Sequence, residues 1–199
     1  MLAFVIFVFA VAGMIKGTIG LGLPAVSMGL LSLVISPFQA ATLLIIPSMV
    51  TNFWQLFAEG RVMRLVQRFW PLLVGMIIGS VWSVFPTLGH GEFQSEALLG
   101  GMLAIYGLYG LFAKNMPNLA PYEKYLSPIM GYLGGALTVA TGVVVIPVVP
   151  YLQSLHLKRD DLVQSLGLAF TVSTLCLAVY LHLNPVEDTP IDYQLSLIA

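Results

Sequence analysis

The sequence predicts an all-α, polytopic membrane protein built from two inverted-topology repeats, each holding a broken or re-entrant helix pair. Three observations carry that prediction. Of 199 residues, 58% are hydrophobic and only 9% are charged, whereas about a quarter of a soluble domain is charged to keep its surface wet. The charges fall between or at the ends of apolar runs, with Lys16 the exception. The two halves of the chain also resemble each other at one constant shift, which sets Gly13 on Gly135, Gly20 on Gly142, Leu30 on Leu152, Leu44 on Leu166 and Thr51-Asn52 on Ser173-Thr174.

The elements follow in order. Met1–Ser36 is apolar but interrupted by Gly17-Thr18-Ile19-Gly20-Leu21-Gly22-Leu23-Pro24. The piece after the break, Leu23–Ile35, reaches only about 20 Å at 1.5 Å per residue, short of a ~30 Å hydrocarbon core. Such a run reads as half-helices meeting in the membrane, with a pair of tilted helices and a tight turn as the alternative. The opening MLAFVIFVFA lacks the basic n-region of a secretory signal and reads as the first membrane helix. Phe38–Ala58, Phe69–Leu88 and Ala97–Ala113 are predicted full spans. Residues 1–113 form the first repeat, 114–126 a connecting loop and 127–199 the second repeat. In the second, Ser127–Leu157 is broken at Thr141-Gly142, with Pro147 and Pro150 after it, and Leu162–Leu183 is a span. Tyr193–Ala199 reads as the first turns of a further span, so the second repeat is expected to be truncated.

Parity and charge set the orientation. Three spans lie between Phe38 and Ala113, and a broken run adds either no crossing or two, so the second copy enters upside down. Arg61, Arg64 and Arg68 place the loop Glu59–Arg68 in the cytoplasm by the positive-inside rule. Lys114–Lys124 and Lys158–Arg159 then fall on the same side, while Leu88–Ser95 and Asn184–Asp192, which hold no Lys or Arg, fall outside. The N-terminus is extracytoplasmic on this count.

Several functions are excluded or left without residues. Eight Lys and Arg against nine Asp and Glu give a net charge of -1 and no basic field for nucleic acid. The lone Cys176 forms no internal disulfide and no multi-cysteine metal site. No HExxH, GxSxG or phosphate-binding glycine loop is present, so an enzyme and a bound cofactor have no motif to stand on. No acid lies within a span, which leaves a carboxylate proton relay without members. His90, His156 and His182 sit at span ends as interfacial residues. Gly75-x-x-x-Gly79 has the spacing of a helix-packing contact.

Lys16 is the residue with chemistry to explain, because a charge near the bilayer centre costs about 2.5–3.5 kcal/mol on insertion scales. Either it snorkels from a helix end, or it faces a cavity and meets an anion. Its neighbours point to the second reading. Gly20 and Gly22 expose backbone N–H groups, Thr18 adds a hydroxyl, and Leu23-Pro24 opens a helix whose N-terminus favours anions. Thr141-Gly142 supplies the matching turn in the second repeat. Ser48, Thr51, Asn52 and Gln55 share one helix face at i, i+3, i+4 and i+7, and Gln164, Gly167, Thr171 and Thr174 form a similar stripe. Each stripe either lines a cavity or glues helices together.

The block AGMIKGTIGLGLP at Ala12–Pro24, with Pro37-Phe38-Gln39-Ala40-Ala41 and Pro47-Ser48-Met49-Val50-Thr51-Asn52-Phe53-Trp54-Gln55, resembles the TauE/SafE family of membrane proteins, often called sulfite exporters. The second copy is similar through Gly134-Gly135, Thr141-Gly142, Pro147, Pro150 and Leu157–Asp161, but Val143 and Val144 stand where the family commonly has glycine. The resemblance implies two related halves and a bacterial inner-membrane carrier of small sulfur-containing anions such as sulfite or organosulfonates. The expected partners are that small anion and the lipid bilayer, with a homo-oligomer left open. The expected binding residues are Lys16, Thr18, Gly20, Gly22, Thr51, Asn52, Gln55, Thr141, Gly142, Thr171 and Thr174. A passive anion channel and a membrane-embedded assembly protein are the alternatives.

Overall fold

The computed structural model describes residues 2–58, 60–88, 92–112 and 117–185. The expectations for Glu59, His90, Lys114, the acids Glu187, Asp188 and Asp192, and the span opening at Tyr193–Ala199 lie outside the described residues. The described residues form eight α-helices and no strand: α1 Leu2–Ile19, α2 Leu23–Leu31, α3 Pro37–Phe57, α4 Val62–Val81, α5 Glu92–Phe112, α6 Glu123–Thr141, α7 Val145–Ser154 and α8 Arg159–Leu183. Of these, α3, α4 and α8 are long and apolar enough to cross a membrane.

Local sequence explains where the helices start and stop. Ser36 caps α3 by accepting the Gln39 N–H at 3.3 Å, and Pro37 occupies the first turn, where its missing N–H is no loss. The chain leaves α1 through Gly20 at φ 78 and enters α2 through Gly22 at φ 106, both left-handed positions that favour glycine. α6 ends on Gly142 at φ 74, whose N–H donates to Thr138 O at 2.7 Å.

Each broken run is a long helix followed by a short one. α1 and α6, with 18 and 19 residues, are about 27–29 Å long, whereas α2 and α7, with 9 and 10, are about 14–15 Å. The break therefore lies well past the middle. The second run begins at Glu123 and not at Ser127, and α4 begins at Val62 and not at Phe69. The two extensions meet in one ion pair. Arg68 Nε and Nη2 donate to the two carboxylate oxygens of Glu123 at 2.8 and 2.6 Å, which matches a charge on the second turn of α4 with one on the first residue of α6. α4 also ends early, at Val81. Beyond it the chain continues along α6, where Ser83 Oγ donates to Ala136 O at 3.3 Å and the Leu88 N–H donates to Val139 O at 2.9 Å.

Glycines set the closest helix contact, between α4 and α6. A Cβ at Gly75 would lie 2.3 Å from Pro128 O, at Gly79 2.0 Å from Tyr132 O, at Gly131 2.1 Å from Leu72 O and at Gly135 2.0 Å from Met76 O. The backbones touch only because these side chains are absent, as the Gly75-x-x-x-Gly79 spacing predicts. A second ion pair, Arg61 to Asp161 at 3.0 Å, joins the starts of α4 and α8. The N-terminal ends of α4, α6 and α8 therefore gather at one end of the molecule, the end carrying Arg61, Arg68, Lys124, Lys158 and Arg159. At the other end Tyr180 Oη donates to Leu88 O at 3.1 Å.

The helix boundaries repeat at a shift of 122 residues, the separation that also divides Asn52 from Thr174. Leu23 and Val145 open α2 and α7, Pro37 and Arg159 open α3 and α8, and Ile19 and Thr141 close α1 and α6. Contacts repeat as well. A Cβ on Gly20 would lie 3.9 Å from the Val163 side chain, and one on Gly142 would lie 3.3 Å from that of Ala41, the residue equivalent to Val163. α3 and α8 run antiparallel, since Asn52 meets Thr174 while Gln55 and Leu56 meet Val163, Gln164 and Gly167.

Candidate functional site

Lys16 lies on the last full turn of α1 and is only 6% exposed. Its Nζ donates to Thr51 Oγ1 at 2.9 Å and to Asn52 Oδ1, and it stands 5.8 Å from the centroid of the Phe170 ring. Thr51, half-buried, and Asn52, fully buried, are adjacent on α3. Thr51 Oγ1 accepts from Lys16 while donating to Pro47 O at 2.9 Å, and Asn52 Nδ2 donates to Thr174 Oγ1 at 3.2 Å on α8. One hydrogen-bonded chain thus runs from α1 through α3 to α8.

The partners of Lys16 are neutral: a hydroxyl, an amide oxygen and an aromatic face. Neither ion pair among the described residues includes it. A lysine ammonium has three N–H donors, and two are used here. Carbonyl and hydroxyl dipoles together with a ring face hold the cation without cancelling its charge.

A cavity of about 490 Å³ opens beside Lys16, with Gly17, Gly20, Thr51, Trp54 and Gln55 in its wall. Gln55 ties that wall together, since its Nε2 donates to Gly20 O at 3.2 Å and to Val163 O at 2.8 Å while its Oε1 has no partner. Ser48, one turn before Asn52, is fully buried and its hydroxyl also has no partner. An unsatisfied buried hydroxyl is a donor with nothing to donate to, and it belongs to the same helix face as the lysine's acceptors.

The structure thus brings Lys16, Thr51, Asn52 and Thr174 into one network, with Gln55 and Gly20 beside it. Other expected residues bond elsewhere. Thr18 is exposed and donates to Ile15 O at 2.9 Å, and Thr171 donates to Gly167 O at 2.7 Å. Thr141 donates to Leu137 O at 2.7 Å and accepts the Val143 N–H at 3.3 Å, which holds the α6–α7 break in shape. The Gly142 turn is filled: a Cβ there would meet Met28 Cε at 2.8 Å. Gly22 packs on Ile15, with 3.2 Å between its would-be Cβ and Ile15 Cγ2.

Sequence reasoning missed Thr138 and Ser173 as a pair. Their hydroxyl oxygens lie 3.0 Å apart, both are buried, and they are 35 residues apart, as are Lys16 and Thr51. Moved by the repeat shift, Lys16 falls on Thr138 and Thr51 on Ser173. Applying that shift to Lys16 would have found them.

A family model described as Sulfite exporter TauE/SafE matches residues 5–198. The chain belongs to the TauE/SafE family. The match spans both broken helix pairs, and with the long apolar helices it makes this TauE/SafE chain a multi-pass membrane protein. Comparison with curated proteins and with solved structures gives no match.

Proposed function

We propose that this TauE/SafE protein is a secondary carrier of small sulfur-containing anions, sulfite or organosulfonates, and that it works by alternating access around a site at Lys16. The observation that carries the reading is a buried lysine whose described partners are all neutral, beside a cavity. Sulfonate and sulfite oxygens accept hydrogen bonds. The third N–H of Lys16 and the unpartnered Ser48 hydroxyl are free to donate, and Thr51, Asn52 and Gln55 exchange internal partners for substrate oxygens.

The repeat supports the mechanism. A residue can touch its own repeat equivalent only close to the axis relating the copies, so the Asn52–Thr174 bond marks that axis. Because α3 and α8 are equivalent and antiparallel, a two-fold axis lies across them, which for membrane-crossing helices is the bilayer plane. The anion then sits near the midplane, and access alternates by rocking one repeat against the other. The membrane is the bacterial inner membrane. The end that gathers Arg61, Arg68, Lys158 and Arg159 is cytoplasmic by its positive charge, and the N-terminus is extracytoplasmic.

Uptake of radiolabelled sulfite and of radiolabelled methanesulfonate into proteoliposomes holding the purified protein is the test. Saturable uptake of either is expected. Flux equal to that of empty liposomes for both contradicts the reading, and unsaturating flux with single-channel currents identifies a channel. A reporter fused after Arg64 is expected to read as cytoplasmic.

A further inference from the structure

The repeat sets α1 against α6, yet the two helices are not equally covered. On α6, Gly135, Ala136 and Val139 are buried under α4 and the stretch after it. A Cβ at Gly135 would lie 2.0 Å from Met76 O, Ser83 Oγ donates to Ala136 O at 3.3 Å, and the Leu88 N–H donates to Val139 O at 2.9 Å. Moved by the repeat shift, those three positions fall on Gly13, Met14 and Gly17 of α1. There Met14 is 65% exposed, against 0% for Ala136, and a Cβ at Gly13 or Gly17 would meet nothing within 4 Å. The neighbouring face of α3 is bare too: Trp54 is 83% exposed, whereas Cys176, its equivalent on α8, is half-buried. We propose that the segment of this chain that follows α8, opening at Tyr193–Ala199, packs a helix along this face of α1 and walls the cavity beside Lys16, as α4 packs on α6.

Position and direction name that occupant. By the same shift Tyr193–Ala199 falls on Pro71–Ile77, in the middle of α4. α4 runs parallel to α6, since Leu72 lies at Gly131 and Met76 at Gly135, so its equivalent runs parallel to α1. α1 passes α3 with Lys16 at Asn52 and Gly20 at Gln55, antiparallel to α8, and therefore begins at the end of the molecule where α8 stops. A span that starts after α8 starts at that end and runs in that direction. The chemistry of the face also calls for protein. Gly13, Lys16, Gly17, Gly20 and Gln55 line the cavity, and Gln55 is 7% exposed with its Oε1 unpartnered. Lipid tails offer no donor to that oxygen and no polar contact to an ammonium. A helix seated over the glycines separates both from lipid, and makes the cavity a site enclosed by protein in place of an opening into the bilayer. This inference goes beyond the carrier reading and does not rest on it.

The test is disulfide cross-linking of the full chain in membrane vesicles, with Cys176→Ala removing the native thiol. A Cβ at Gly75 would lie 3.0 Å from Tyr132 N, and the repeat shift moves that contact to Leu197 and Ala10. Ala10→Cys is paired in turn with Gln194→Cys, Ser196→Cys, Leu197→Cys and Ile198→Cys, and each pair is oxidised with copper phenanthroline. Cross-linking within one chain is expected for most of the protein at Leu197→Cys or a neighbouring position. None is expected when Ile129→Cys, on the exposed face of α6, replaces Ala10→Cys. Absence of any cross-link to Ala10→Cys overturns the inference, and so does cross-linking between chains, which identifies a second copy as the cover. Melting of the purified protein gives a second readout. Gly13→Leu is expected to lower the unfolding temperature or abolish folding, because the added side chain crowds the helix laid over it. A Gly13→Leu protein that melts with wild type overturns the inference. Neither readout involves transport, so failure here leaves the carrier reading standing.

Discussion

Replacing Asn52 with Asp changes one atom in the network around Lys16 and cancels its charge. Asn52 Oδ1 accepts from Lys16 Nζ, so the new carboxylate forms in contact with the ammonium. The side chain keeps its shape, and the Thr174 hydroxyl, which now accepts from Nδ2 at 3.2 Å, can turn to donate to the new oxygen. Lys16 then has a resident counter-ion, and the site carries no net charge for an incoming anion to meet. Two unit charges about 4 Å apart attract by about 4 kcal/mol at an effective dielectric of about 20, close to a thousandfold in affinity at about 1.4 kcal/mol per tenfold. The assay is anion-induced stabilisation of the purified protein against thermal unfolding, with proteoliposome uptake alongside. Asn52→Asp is expected to stay folded and to lose both responses. Asn52→Leu separates charge from hydrogen bonding: it leaves Lys16 short of an acceptor, costs about 1–3 kcal/mol of stability, and keeps the site's positive charge. An Asn52→Asp protein that binds and carries anions like wild type would refute the reasoning.

Further predictions concern the scaffold. Gly79→Leu drives a side chain into Tyr132 O, 2.0 Å from the would-be Cβ, and is expected to lower the unfolding temperature by separating α4 from α6, with a cost of at least about 1–3 kcal/mol. Gly100→Ala, where nothing lies within 4 Å, is expected to stabilise α5 by about 0.5–1 kcal/mol in the same melting experiment. Glu123→Gln breaks the two-pronged Arg68 contact at a partly exposed site, so a loss of about 1 kcal/mol or less is expected, shrinking as salt is raised.

Much of the architecture was legible because its signals are local. Gly20 and Gly142 mark the two breaks by their left-handed backbone, and the face Ser48–Gln55 follows from helical spacing alone. Helix extent was not legible where long-range pairing decides it. Arg68 and Glu123 look like loop residues in a linear reading, yet each neutralises the other, on the second turn of α4 and at the start of α6. The Thr141-Gly142 turn reads as the counterpart of the turn at Gly20, but Met28 and Ala41 arrive from α2 and α3 to fill it. The Thr138–Ser173 pair has no compositional signature at all; two hydroxyl residues in apolar helices stand out only once the repeat shift aligns them with Lys16 and Thr51. The repeat shift is therefore the sequence signal that reaches furthest into the structure.

The central claim is that the uncancelled charge of Lys16 holds a small anion. Uptake of radiolabelled sulfite by proteoliposomes bearing wild-type protein or Lys16→Met, matched for the amount of folded protein, tests it most directly. Methionine keeps the length of the lysine stem and removes the ammonium, so the account predicts saturable uptake by wild type and none above empty liposomes for the variant. Equal uptake by the two proteins would contradict it.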